Sequence, residues 1–213
     1  ISKIFFTKSK YTLDIGGLIG ALQRSFNFNS LTFYDEEQFI NENIFFIDLG
    51  FGGVLKHKIN NHSNFEFGFS SFHINNPNLS FSNTYTENTP MKHVAYFEYD
   101  YFYNNLFFTP LFYYSVQSKE SELIYGIDVG NDFNKKEGQI NYNGALYIRN
   151  NDAIIPQVGI MFQHFSFHIS YDINISELSK ASNNYGGLEF SIMYSWNAKN
   201  KKQKNKFKCP KYL

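Results

Sequence analysis

From Leu188 to Trp196 the chain alternates without a fault. Leu188, Phe190, Ile192, Tyr194 and Trp196 fall on one side, and Glu189, Ser191, Met193 and Ser195 on the other. A period of two belongs to a β-strand, whose successive side chains leave opposite faces of the sheet. The apolar side ends in Tyr194 and Trp196, whose apolar bodies and polar tips suit a boundary between lipid and water. Tyr185–Trp196 is therefore predicted to be an amphipathic strand that closes the regular part of the chain.

Nine further segments upstream read the same way. They are Tyr11–Arg24, Ile44–Lys56, Asn64–Ile74, Met91–Tyr103, Leu106–Gln117, Ser121–Phe133, Gly138–Arg149, Ala153–Gln163 and Phe165–Asn174. In Asn64–Ile74, Phe65, Phe67 and Phe69 oppose Glu66, Gly68 and Ser70. In Met91–Tyr103, Ala95, Phe97, Tyr99, Tyr101 and Tyr103 oppose Glu98 and Asp100. In Ser121–Phe133, Tyr125, Ile127 and Val129 oppose Gly126, Asp128 and Gly130. An unpaired carboxylate is costly in a dry core, so a face carrying acids and glycines implies a polar interior. The expected strand length, about 10–14 residues, exceeds the five or six usual in soluble sheets. It matches the length that a tilted strand needs to cross a bilayer.

Composition agrees. The 213 residues include 25 Phe and 16 Tyr, and aromatic side chains make up 20% of the chain, yet mean hydropathy is −0.37. Aromatic-rich but polar on average is the balance of a transmembrane β-barrel, with lipid-facing and lumen-facing residues in alternation. A soluble β-sandwich shares the alternation but not the strand length. The sequence contains no apolar run long enough for a transmembrane helix. Its start, ISKIFFTKSK, has neither an initiator Met nor a signal-peptide pattern, as expected of a mature or truncated chain.

The connections supply an independent sign. The long ones, Ser25–Asn43, Asn75–Pro90 and Ile175–Asn184, all have the same parity in strand order. Transmembrane barrels put long loops outside and short turns in the periplasm. A chain whose last strand runs inward places these three outside.

Charge is uneven although it sums to zero. Seven of the 19 Lys and Arg lie beyond Ala198, leaving the first 197 residues with a net charge of −7. The chain is thus expected to comprise a barrel over residues 1–197 and a Lys-rich periplasmic tail over 198–213. Basic tails attract anionic partners or lipid headgroups. The single cysteine, Cys209, excludes an intramolecular disulfide.

Nothing in the sequence argues for catalysis. Ser166, His168, Ser170 and Asp172 share one face of one strand, but a water-lined interior would carry such residues in any case. No histidine spacing supports a metal site, no glycine-rich loop would cradle a phosphate, and no basic aromatic stripe would bind nucleic acid. No cofactor is expected. More particular are His73-Ile74-Asn75-Asn76-Pro77-Asn78 at the entrance of a long polar connection, and the hairpin Arg149-Asn-Asn-Asp152, whose opposite charges could pair across its base. Asp172 in Ser170-Tyr171-Asp172, Glu189 in Gly186-Gly187-Leu188-Glu189, and Cys209-Pro210 are further landmarks.

In this order the landmarks resemble the PorP/SprF family of type IX secretion membrane proteins of Bacteroidota. The matching pieces are DLGFGGVL at Asp48–Leu55, FEFGFSSFHINNPN at Phe65–Asn78, RNNDAIIPQVGI at Arg149–Ile160, ISYDINIS at Ile169–Ser176, GGLEFSIMYSW at Gly186–Trp196 and Cys209-Pro210. None is specific alone; the six in register are.

The resemblance implies an outer-membrane barrel of a Gram-negative bacterium that works in secretion and in gliding motility. It would help export, anchor or cap a cell-surface adhesin with a type B C-terminal domain. It would also contact type IX components, including peptidoglycan-linked periplasmic proteins, and outer-membrane lipid. It brings no catalytic residues. His73, Asn75, Asn76, Pro77, Arg149, Asp152, Asp172, Glu189, Cys209 and Pro210 are the candidate partner-binding or family-motif positions. Family members are longer and begin with Asn-Pro and Arg-Gln-Trp elements that this sequence lacks. Bacterial single-chain barrels have an even strand count, so ten strands could close alone, but the resemblance implies a larger barrel of about 14, with about four N-terminal strands absent from this chain. A passive pore or transporter, and a barrel enzyme acting on lipid or ester, are the alternative functions.

Overall fold

A computed structural model describes residues 2–8, 10–27, 43–82, 85–131, 140–176 and 185–195. These residues form an all-β structure, with no helix among them. Eleven strands follow one another in a single sheet in strict chain order: β1 (Ser2–Lys8), β2 (Tyr11–Ser25), β3 (Asn43–Lys58), β4 (Ser63–Phe72), β5 (Lys92–Tyr103), β6 (Leu106–Gln117), β7 (Glu120–Asn131), β8 (Ile140–Arg149), β9 (Ala153–Phe162), β10 (Phe165–Asn174) and β11 (Tyr185–Tyr194). Up-and-down order is what short connections between sequential strands dictate. β1 and β11 stand at the two ends of the order.

All ten expected strands are present, and β1 adds an eleventh. Its sequence hides it, because the register on β2 shifts between Ile4 and Phe6. A bulge there breaks the period of two that marks a strand. β2 carries β1 on one side, paired from Tyr11 to Gly16, and β3 on the other. Several expected boundaries also move by one or two residues, that of β4 among them. Asn64–Ile74 ends at Phe72, because His73 adopts a left-handed backbone (φ 56°) that takes the chain out of the sheet. Trp196, the end of the closing segment, lies outside the described residues.

The tight turns follow the same rule. Asn104, Ser118, Asn151 and Gln163 all have positive φ, the conformation that two- and three-residue reversals require and that Asn tolerates best. The longest connections, 26–42, 73–91 and 175–184, all leave even-numbered strands, as the parity argument expected. Much of the first and third lies outside the described residues, as does 132–139.

Contacts divide the chain into two compact units, 1–101 with 110–125, and 102–109 with 126–213. In the first, Ile15, Ile19, Ile47, Phe51, Phe67, Phe69 and Phe97 are exposed, whereas Asp48, Ser71, Asp100 and Ser115 are buried. In the second, Tyr142, Leu146, Val158, Ile160, Phe165, Phe167 and Ile169 are exposed, whereas Asp128, Asn131, Asn143 and Asp172 are buried. The extremes decide the matter: Ile19 is 82% exposed and Asp128 is 1% exposed. In each unit many large aliphatic and aromatic side chains are exposed while several carboxylates are buried, opposite to the usual distribution in water-soluble folds.

Candidate functional site

Cross-strand pairs hold many of the polar side chains on the buried face of each unit. Register sets Lys56 opposite Glu66 and Glu66 opposite Glu98. Glu98 would repel Glu66 unaided. Lys56 Nζ lies 3.4 Å from Asp14 Oδ2 and 3.7 Å from Glu66 Oε2, and the Tyr96 hydroxyl donates to Glu66 Oε1 at 2.6 Å. Nearer the turn, the Asn64 amide donates to Asp100 Oδ2 at 2.8 Å. In the second unit, Asn143 Nδ2 donates to both oxygens of Asp128, at 2.8 and 3.0 Å. Sequence alternation marked these residues as polar-facing; only the register shows which pairs meet.

The polar face is also closely packed. Gly68 lies opposite Tyr96, and a Cβ at Gly68 would overlap the Tyr96 ring. Phe107 covers Gly130 in the same way, and a Cβ at Gly126 would overlap the Leu146 carbonyl as well as Tyr147. Rings lying across cross-strand glycines fill space that a twisted sheet leaves open.

Four candidate positions gather where β4 leaves the sheet. His73 Nδ1 and Asp48 Oδ1 lie 2.9 Å apart. Asn75 behaves as one more rung of the ladder: its Nδ2 donates to the Ile47 carbonyl at 2.6 Å, and its Oδ1 accepts from the Leu49 N–H at 3.0 Å. Asn76, at φ 44°, turns the chain, and its Nδ2 donates to the Thr89 carbonyl at 3.1 Å. Pro77 is buried, and its carbonyl accepts from the Thr89 N–H at 2.9 Å. Asn78 then pairs with Asn88 in an isolated bridge. Arg24 reaches this connection from β2, donating to the Leu79 carbonyl at 3.3 Å and lying over the Phe81 ring at 5.0 Å. The motif that looked like a loop entrance shapes a folded hairpin, with Tyr85 exposed near its tip.

Three more candidates meet at the corresponding strand ends of the second unit. Arg149 Nη1 donates to Asp152 Oδ2 at 3.1 Å, as the hairpin charges suggested, and also to Asp172 Oδ2 at 2.9 Å. The Asp152 carbonyl accepts from the N–H groups of Ile175 and Ser176, at 2.8 and 3.2 Å. Glu189 stands apart, exposed on β11 opposite Ser170. Cys209 and Pro210 lie outside the described residues.

Two of the residues considered for catalysis, Asp172 and His168, make other contacts. Asp172 is held by Arg149. The His168 ring lies over Gly159 beside Asn143, close enough that a Cβ at Gly159 would overlap both. Among the described residues no group of three or more His, Cys, Asp or Glu could hold a metal ion, and no helix is long and apolar enough to cross a membrane. The latter says nothing of crossing by strands.

No curated protein matches the sequence. A family model, described as type IX secretion system membrane protein PorP/SprF, matches residues 3–194. That span runs from β1 to the last residue of β11 and includes both clusters of motif residues. The chain therefore belongs to the PorP/SprF family of type IX secretion system membrane proteins.

Proposed function

We propose that the chain forms a transmembrane β-barrel in the bacterial outer membrane and serves type IX secretion without catalysing a reaction. It would help export, anchor or cap a surface adhesin carrying a type B C-terminal domain. The observation that carries the membrane reading is the inversion of the two faces, with Ile19, Ile160 and Phe167 exposed while Asp48, Asp128 and Asp172 are buried. Leaving each large apolar side chain in water forfeits about 1.5–3 kcal/mol, so a face this extensive belongs against hydrocarbon. β2–β11 are 10–16 residues long, enough to span a bilayer at the usual tilt. With β11 running inward, 26–42, 73–91 and 175–184 face outside and offer the surface for cargo. The tail, 198–213, then faces the periplasmic components and supplies Lys side chains to anionic groups on them.

Co-purification from detergent-solubilised outer membranes tests this. Recovery with type IX components and a surface adhesin is expected; recovery with neither sinks the reading. A passive pore is the second reading, supported by the charged polar face around Lys56, Asp14 and Glu66. It requires steady conductance in planar bilayers, which a barrel dedicated to anchoring or capping would lack.

A further inference from the structure

Two ladders fail at the same place on β10. On the β9 side, pairing runs from Phe165↔Phe162 to Ser170↔Gln157 and resumes only at Ile173↔Ile154. The missing rungs face Ile155 and Pro156, and proline has no N–H to give. On the β11 side, the register slips between Tyr171 and Ile173. Gly186 there approaches the Asp172 backbone so closely that a Cβ would overlap the Asp172 carbonyl. Gly186 and Gly187 of β11 there oppose Asp172 alone, a bulge on β11 that interrupts the ladder, so Asp172 has no rung on either edge and Tyr171 keeps only its rung with Leu188.

Beyond this break, the bonds that tie the described strand ends include the rungs Ile173↔Ile154, Asn174↔Ala153 and Ile173↔Tyr185, and the N–H groups of Ile175 and Ser176 on the Asp152 carbonyl. Arg149 spans the break. One of its nitrogens, Nη1, serves Asp172 at the bulge and Asp152 in the β8–β9 turn. Without it, two carboxylates would face each other with their shared cation gone.

We infer that Tyr171–Asp172 is a hinge and that the Arg149–Asp172 ion pair is the latch holding the strand ends beyond it, Ile173–Ser176 and Tyr185–Gly186, against the β8–β9 turn. The latched ends open together while Phe165–Ser170 stay paired to both neighbours. Local opening is set by how few bonds must break, and charge-assisted bonds are the strongest of those present. The device lies wholly within the second unit and does not depend on the secretion role.

Amide hydrogen exchange on the full chain folded in detergent micelles tests it. Arg149→Gln should speed exchange about tenfold or more at Ile173–Ser176 and leave Phe165–Ser170 unchanged. Pro156→Ala, which returns an N–H to the interrupted ladder, should slow exchange at the same residues. If Arg149→Gln fails to fold, the Pro156→Ala result alone decides. Uniform acceleration along all of β10, or no change at Ile173–Ser176 in any variant that folds, overturns the hinge.

Discussion

Tyr96 lies across Gly68, its cross-strand partner, and its hydroxyl reaches Glu66 Oε1 at 2.6 Å. The glycine makes room for the ring, and the ring carries the donor that accompanies Lys56 on a carboxylate facing Glu98. Packing and charge balance on this face are therefore one arrangement.

Gly68→Ala should be destabilising although alanine suits a strand better. The added methyl must displace an aromatic ring, an overpacking cost of about 1–3 kcal/mol. The check is the urea midpoint for loss of the folded, heat-modifiable band in detergent. Gly17→Ala is the control, because the nearest atom to its Cβ would be Gly50 O at 3.8 Å; its midpoint should barely move.

Asn75→Ala should loosen the start of the 73–91 connection on β3, where His73–Asp48 and the Ile74 N–H to the Leu49 carbonyl remain. The substitution removes a donor to the Ile47 carbonyl and an acceptor for the Leu49 N–H together. Losing both costs roughly 1–3 kcal/mol locally. Limited proteolysis of the folded protein should show faster cleavage within 73–91, with the strands protected as before.

Ile160→Arg should impair membrane assembly far more than Asn141→Arg. Ile160 is on the exposed apolar face, and on a lipid-contacting face an arginine costs up to about 2–4 kcal/mol at the midplane and less towards the interfaces. Asn141 lies on the opposite, polar face. Comparing the folded fraction of each in lipid vesicles measures the difference; equal yields would count against lipid contact at Ile160.

Under the proposed function, removing 198–213 should leave the strands folded and reduce recovery of the proposed periplasmic partners. The segment carries seven Lys and no Asp or Glu, so its contacts are expected to weaken with salt. Heat-modifiable migration reports the fold and co-purification at two ionic strengths reports the binding.

The alternation in Leu188–Tyr194, repeated in nine earlier segments, was enough to establish strands, their two faces and their order. Each of these is a local property: a period of two sets the face, and short connections join neighbours. β1 escaped because a bulge at Phe5 breaks the period, and His73 left its strand early because of one backbone rotation. Arg149 and Asp152 were legible as a pair because they lie three positions apart. Asp172 joins them only because β8, β9 and β10 pair in a particular register, and Asn75 reads as a rung of β3 only once the chain has turned back. Sequence by itself determined which side chains face which way, since that depends on neighbours along the chain. The tertiary structure decided which of them meet, since register is a property of strands far apart in sequence.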